Sequence, residues 1–508
     1  MADSVIPIVF AVFNIKMLLI IAAGVLLGIL VGVLPGLSAT LGVALVMPLS
    51  FGMDALGGLM LLLGVYVGAV YGGSVSAILL GIPGTPAAVA TVFDGLPMTK
   101  RGEGGLAIGI ATISSFLGGF LSVVILALVS KPIAVLGLAF GEREYLALGI
   151  FALSVVAQLS SSSFTKGVLA AGIGLFLATT GIDEIHGIPR FTFGNTNLLG
   201  GIPYMPVMIG LFAIPEILIN IEMISPIRPH LPKIDKILPG WSRFRGLAAP
   251  ILRSIGIGTI VGAVPGTGAD IAAIVSYGQG KRMSKHPERF GTGYPEGIAC
   301  AESANNAGTG GAMIPLLTLG IPGGAVTAIL MGAFMIHGLY PGPLLMTQNI
   351  DLVYKVILGM GVANIILLVS GLCAARIFSR VSQVSASLLS PIIMFLCITG
   401  SFALRNSFFD VFIMAVAGLG GYVMMKTAIP RAPLIIGMIL SGMIEANLAR
   451  SVMLCHGNVF KIFTPISSIL FALTILPFVF PWLKRFYRSI LSKVILKKLF
   501  WHDIVKRH

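Results

Sequence analysis

Charge is scarce in this 508-residue sequence. Lys, Arg, Asp and Glu together make up 10% of it, against 56% hydrophobic residues, and its mean hydropathy is +1.00. That balance lies outside the range of soluble globular domains and leaves no room for long charged extramembrane domains. Cysteine is sparser still, with four residues. Cys300, Cys373, Cys397 and Cys455 lie in or beside apolar runs with no paired spacing, which favours buried free thiols over a disulfide framework. His186, His230, His286, His337 and His456 are scattered, so no metal-ligand spacing arises. The pattern G-x-x-x-x-G-K-[ST] is missing, and with it any ATP drive within the chain. H-E-x-x-H is missing too, and GGSVS at 72–76 departs from G-x-S-x-G at its last position. No nucleophile stands beside a partner base.

What is present is apolar length. About ten to twelve runs are long enough to enter hydrocarbon as helices, so the expected fold is an all-α polytopic membrane protein. The first run, from about Ile15 to Leu34, lacks the small-residue exit site of a cleaved signal peptide and reads as a structural helix. The net charge of +14 sits in clusters. Arg228, Lys233, Lys236, Arg243, Arg245 and Arg253 face a single acid, Asp235, and the tail from Lys484 to His508 has eight Lys or Arg and one Asp. These read as cytoplasmic anchors beside anionic lipid, not as a nucleic-acid surface.

The chain also repeats itself. GILVGVLPG (28–36) returns as GTIVGAVPG (258–266), GIPG at 81–84 returns at 320–323, SSFTKGVLAAGIGL (162–175) resembles NSFFDVFIMAVAGL (406–419), and PVMIG (206–210) resembles PLIIG (433–437). The changes in offset between these matches fall on GKRMSKHPERFGTGYPEG (280–297) in one copy and IDEIHGIPRFTFGNTNLL (182–199) in the other. The expected organisation is a first membrane repeat over 1–225, a basic cytoplasmic linker over 226–254, a second repeat over 255–480 and a basic cytoplasmic tail over 481–508. Matched loops carry opposite charge bias. Lys100 and Arg101 follow the first GIPG while HGLYPGPLLMTQN follows the second; SFGMDALGG has no Lys or Arg while its counterpart has Lys281, Arg282, Lys285 and Arg289. Opposite bias at equivalent positions is the mark of inverted-topology repeats.

Each repeat contains a Pro-Gly pair inside an apolar run. Proline lacks an N–H and clashes with the preceding turn, so the pair breaks the helix and frees backbone groups, tolerable at membrane depth only around a protein-lined or watery cavity. Such ends bind ions: amide donors of the new helix hold an anion and carbonyls of the old one hold a cation. Ile255–Tyr277 has a basic cluster at each end, which a re-entrant hairpin with Pro265-Gly266 at its tip reconciles. The expected anion-binding residues are Pro35, Gly36, Ser38, Thr40, Ser74, Ser76, Thr85, Pro265, Gly266, Thr267, Asn305, Asn306 and Thr309. Asp270 and Glu302, carboxylates in apolar surroundings, are the expected cation-coupling pair. For each, packing or capping within the bundle is the bland alternative.

GILVGVLPGLSAT, YGGSVSAILLGIPGTPAAVATVFDG, RFTFGNTNLLGGIPYMPVMIGLFAIPEIL, GTIVGAVPGTGADIAAIVSY and FGTGYPEGIACAESANNAGTGGAMIPLLTLGIPGG closely resemble the large membrane subunit of the bacterial tripartite tricarboxylate transporters. The family's paired glycine-proline signatures fall on Gly28, Gly32, Pro35 and Gly36, and on Gly258, Gly262, Pro265 and Gly266. The resemblance implies a multi-pass, ion-coupled secondary importer of the bacterial inner membrane, acting on a citrate-like tri- or dicarboxylate without an organic cofactor. It also implies two partners, a periplasmic solute-binding protein and a small membrane subunit. Na⁺ and H⁺ both remain open as coupling ion, and a passive anion channel or an intramembrane enzyme is the alternative.

Overall fold

Glycine and proline decide where the helices stop. The computed structural model describes residues 2–34, 37–159, 163–183, 186–222, 237–238, 240–381, 386–456 and 458–475. After α1 (Ala2–Val12) come α2 (Ile15–Val33), α3 (Ala39–Ser50), α4 (Ala55–Leu80), α5 (Val89–Lys100), α6 (Gly104–Leu138), α7 (Glu142–Leu159), α8 (Phe164–Ala178) and α9 (Tyr204–Glu222). A second series follows: α10 (Trp241–Ala263), α11 (Gly268–Met283), α12 (Pro295–Leu319), α13 (Ala325–Ile336), the short α14 (Pro343–Gln348), α15 (Ile350–Cys373), the short α16 (Ala375–Val381), α17 (Ala386–Arg405), α18 (Phe408–Lys426) and α19 (Ala432–Cys455). The strands among the described residues are a two-residue antiparallel pair, β1 (Gly181–Ile182) with β2 (Pro189–Arg190). Seven of the described helices are long and apolar enough to cross a membrane, so this is an all-α polytopic membrane protein. α10 starts at Trp241 behind Gly240, inside the stretch expected as linker. Arg245 therefore rides on its second turn and Arg253 near its middle.

Matching helices end alike. α2 stops at Leu34 (φ −77°, ψ 118°) and α10 at Val264 (φ −78°, ψ 122°), each N–H donating to the carbonyl three residues back. α4 and α12 stop at Gly81 and Gly320, whose φ of 70° and 71° is the left-handed cap that glycine adopts without strain.

α2 and α4 run parallel and touch backbone to backbone. Gly24, Gly28 and Gly32 face Leu61, Val65 and Ala69, while Gly64, Gly68 and Gly72 face Ile21, Val25 and Ile29. A glycine every fourth residue keeps one side of each helix bare, which is how helices approach closely where lipid removes the hydrophobic drive. Because Asp54, at the start of α4, lies beside Lys16, at the start of α2 (3.6 Å), α3 must return to the face from which α2 set out. α2 and α3 are therefore a hairpin. The same holds for α10 and α11: Arg253 and Ser254 of one share a groove with Gln279 and Met283 of the other. The segment from Ile255 to Tyr277 folds back at 264–267 instead of running straight through.

α4 and α12 run in opposite directions. The 26 residues of α4 cover about 39 Å, from the face where Gly58 meets His337 to the one where Thr99 donates to the Ile78 carbonyl (2.7 Å). α12 starts beside that second face and ends at Gly320, next to Pro341. Lys100 and Arg101 thus share a face with the 284–294 loop, and the charge-poor matched loops share the other. Partners are exchanged between the two series as well: α6 packs on α12 and α15 on α4; α8 packs on α19 and α18 on α9.

Asp94 of α5 holds the 284–294 loop from the other series. Its Oδ1 accepts from the N–H groups of Gly291, Gly293 and Tyr294 (2.9, 2.9 and 2.7 Å), and its Oδ2 from the Tyr277 hydroxyl (2.9 Å). Gly291 (φ +88°) and Gly293 (φ +93°) make the turn that converges these donors. Arg101 grips the carbonyls of Thr292 and Gly293, both at 2.6 Å. Asp94→Ala leaves three backbone donors unpaired and is expected to cost on the order of 3 kcal/mol. Thermal unfolding of the purified protein checks this; an unchanged midpoint would mean that Asp94 does not hold the loop.

Candidate functional site

The hairpin tips meet the GIPG loops. The Gly32 carbonyl would stand 1.9 Å from a Cβ at Gly84, and the Gly262 carbonyl 2.9 Å from one at Gly323. The amides of Gly266 and Gly268 donate to the Gly323 carbonyl at 2.8 and 3.3 Å. Only glycine permits backbone to rest on backbone here, which is what the Gly-Pro punctuation accomplishes in three dimensions. The hairpin α2–α3 enters from one face and α10–α11 from the other. Between them lies a cavity of about 600 Å³.

Equivalent segments of the two series line that cavity: 38–40 and 266–271 after the hairpin tips, and 85–87 and 324–327 after the GIPG loops. Ser38 caps α3 by accepting from the Leu41 amide (3.2 Å). Thr267 donates to the Val264 carbonyl (2.8 Å) and to that of Val261, tying its tip to α10. Asp270 stands in the first turn of α11, favoured there by the helix dipole. Its carboxyl is open to the cavity, and the Ala87 backbone N–H from the other series is directed at it. At the matching place in α3 stands Thr40, uncharged. The cavity is therefore symmetric in backbone and asymmetric in charge.

Sequence reasoning missed the one guanidinium in the lining. Arg431, at the start of α19, pairs with Glu216 of α9 (3.1 Å), donates to the Leu211 carbonyl (3.2 Å) and lies over the Phe212 ring (5.2 Å). A signal existed. IPRAP at 429–433 shares Ile, Pro and the final Pro with IPYMP at 202–206, with Arg431 at the place of Tyr204. A second cavity of about 380 Å³ contains Tyr204 and a second ion pair between the series, Arg190 with Glu445 (2.5 Å).

Of the expected residues, Ser38, Thr40, Thr85, Gly266, Thr267 and Asp270 line the first cavity. Pro265 is at the tip but not in the lining, and Pro35 and Gly36 lie outside the described residues. Ser74, Ser76, Glu302, Asn305, Asn306 and Thr309 are buried elsewhere, among α4, α5, α6 and α12. There Glu302 accepts from the hydroxyls of Thr91 and Ser115, the latter at 3.0 Å. Ser76 donates to the Gly73 carbonyl (3.2 Å), Asn306 to that of Glu302 (3.3 Å) and Thr309 to that of Asn306 (2.7 Å). The expected site is thus divided, with Asp270 in the cavity and Glu302 in the packed interior. Amides, hydroxyls, the carboxylates of Asp270 and Glu216 and the Arg431 guanidinium around one cavity suit a polar anion and a small cation. Among the described residues no three His, Cys, Asp or Glu gather as a metal site.

Residues 18–436 match the family model described as Tripartite tricarboxylate transporter TctA family. Two curated relatives from Agrobacterium vitis are similar to the chain. The uncharacterized 52.8 kDa protein in the TAR-I ttuC' 3' region is 35% identical over 450 residues, 88% of this chain and 90% of that protein. The uncharacterized protein in the TAR-II ttuC' 3' region is 35% identical over 201 residues, 40% of this chain and 83% of that one. No solved structure matches the chain.

Proposed function

The chain belongs to the tripartite tricarboxylate transporter TctA family, and from that premise we propose that it imports an organic di- or tricarboxylate, citrate-like in chemistry, by secondary active transport. A periplasmic solute-binding protein delivers the anion, a small membrane subunit completes the complex in the bacterial inner membrane, and a Na⁺ or H⁺ gradient drives uptake. The observation that carries this reading is the single cavity framed by two hairpins from opposite faces and by both GIPG loops.

Opposed hairpins are a means of alternating access. Each tip can withdraw toward its own face, so the cavity opens one way at a time, and the backbone-on-backbone glycine contacts allow sliding without side-chain rearrangement. The opposite directions of α4 and α12 support an inverted-topology repeat. The basic loops gathered on the Arg101 face support that face, and the C-terminal tail, as cytoplasmic. In the cavity, the first-turn amides at 269–270 of α11 and 325–327 of α13 would hold substrate carboxylates. Arg431 would exchange Glu216 for a substrate carboxylate, and Asp270 would hold the cation or proton that accompanies it.

The test is uptake of radiolabelled citrate and a panel of di- and tricarboxylates into proteoliposomes. These contain the chain and the small subunit, with binding protein outside and a Na⁺ or proton gradient imposed. Accumulation against a gradient that requires the binding protein is the expected result. Equilibration without any gradient would make the cavity a channel and overturn the reading.

A further inference from the structure

We propose that Glu302 is the centre of a dehydrated sodium site, built among α4, α5, α6 and α12 and separate from the anion cavity. The inference rests on the ion-coupled reading above and adds to it a sodium site distinct from Asp270, with its ligands.

Glu302, Ser74 and Asn305 are fully buried. Thr91 and Ser115 donate to the two Glu302 oxygens. Ser74 and Asn305 lie against the same carboxylate, yet the Ser74 hydroxyl and both polar atoms of the Asn305 amide reach no hydrogen-bonding geometry with any partner. Among the described residues no Lys, Arg or His acts on Glu302. A carboxylate this deep must be neutralised, and buried polar atoms are nearly always paired. A proton on Glu302 meets the first requirement and supplies a single donor, which can serve the Asn305 carbonyl oxygen or the Ser74 hydroxyl but not both. A small hard cation meets the first and engages the Asn305 Oδ1 and the Ser74 oxygen together. It takes one carboxylate oxygen, the Asn305 Oδ1 and hydroxyl lone pairs of Ser74, Thr91 and Ser115, an all-oxygen set of the kind alkali and alkaline-earth cations accept. One formal negative charge in the shell matches a monovalent ion.

The same segment serves both sites. Thr85 lines the cavity while its hydroxyl rests over Gly73, next to Ser74. Ala87 points its amide at Asp270, and Thr91 holds Glu302. An ion that orders Thr91 and Ser74 therefore orders the 85–87 wall that meets the anion.

The experiment is thermal unfolding of the purified full-length chain in detergent, titrated with NaCl against KCl and choline chloride at constant ionic strength. Binding to the folded state alone raises the midpoint in a saturable way. Wild type is expected to respond to Na⁺ and not to K⁺ or choline. Glu302→Gln is expected to lose the response, and Asn305→Ala or Ser74→Ala to raise the half-saturating Na⁺ concentration about tenfold, the effect of losing one ligand contact of about 1.4 kcal/mol. Asn305→Ala and Ser74→Ala keep the test alive if Glu302→Gln does not fold. Equal midpoints in the three salts would overturn the proposal. So would a Na⁺ response unchanged in the Asn305 and Ser74 variants, or a midpoint that follows pH through Glu302 but ignores Na⁺. Because the readout is ion binding to this chain alone, failure of anion uptake in proteoliposomes leaves it standing.

Discussion

Gly68→Ala is expected to prevent assembly of the membrane bundle. An alanine Cβ there would stand 2.2 Å from the Val25 carbonyl oxygen and 3.0 Å from the Ile29 nitrogen. Both neighbours are backbone, so no side chain can swing aside, and relief requires α2 to move away from α4 as a unit. That movement also undoes the contacts at Gly24, Gly28, Gly32, Gly64 and Gly72, and it shifts the hairpin tip that borders the cavity. Overpacking costs about 1–3 kcal/mol where side chains absorb it; here the cost should reach that upper value or exceed it, a large share of the about 5–15 kcal/mol that holds a protein folded. The measurement is yield and monodispersity in size-exclusion chromatography after detergent extraction. Gly246→Ala is the control. It lies on α10 with no heavy atom within 4 Å of its added methyl, and it should gain up to about 1 kcal/mol from better helix propensity. Wild-type yield for Gly68→Ala would show that α2 and α4 do not touch as described.

Asp270→Asn is expected to abolish uptake while leaving the fold intact. Asparagine keeps the shape and an oxygen for the Ala87 amide, and because no basic side chain acts on Asp270, no ion pair is lost. The charge alone disappears. If the carboxylate holds the accompanying cation, an electrostatic contact of about 3 kcal/mol is removed, which corresponds to roughly a hundredfold in transport at limiting ion. Asp270→Glu should retain part of the activity. The check pairs initial uptake rates, at several ion concentrations, with a thermal midpoint equal to wild type. Normal uptake with unchanged cation dependence would remove Asp270 from coupling. The repeat adds a finer test: moving the carboxylate by Thr40→Asp with Asp270→Thr restores the charge to the cavity from the opposite hairpin. Partial recovery would show that the two tips are equivalent in backbone and distinct in cargo.

The ends of α2 at Leu34 and of α10 at Val264 were legible because Gly and Pro act on their own turn of chain. Of the insertion at 280–297, residues 284–294 form a loop between α11 and α12, and 182–199 carries β2. Less could be read about which polar residues face the cavity. Asn305 and Asn306 lie in α12, whose polar residues face α4, α5 and α6, and an unaligned sequence does not say which way a helix with small residues on several sides will turn. Arg431 escaped because Glu216 is far away in the chain and the pairing exists only once α19 reaches α9. Asp94 escaped for another reason. Its ligands are backbone amides of 291–294, and a donor that every residue carries leaves no mark in residue type. Thr91 and Ser115 look like ordinary membrane hydroxyls until Glu302 arrives between them.

The exchange of partners between the two series also governs how the molecule can be born. α9 leaves the ribosome early, and its Gly210 is shaped for the Met414 carbonyl, 2.0 Å from where a Cβ would stand. Met414 follows by 204 residues, which at about 5–20 residues per second means roughly 10–40 s of translation. α8 waits longer, since Gly174 receives the Leu434 carbonyl. For that interval two helices with bare glycine faces stand in the bilayer without their mates, open to any other small-residue helix that drifts past. A nascent first half is therefore expected to need shielding until its partners arrive, and a chain cut between Glu222 and Trp241 is expected to leave α8 and α9 without the helices they pack on.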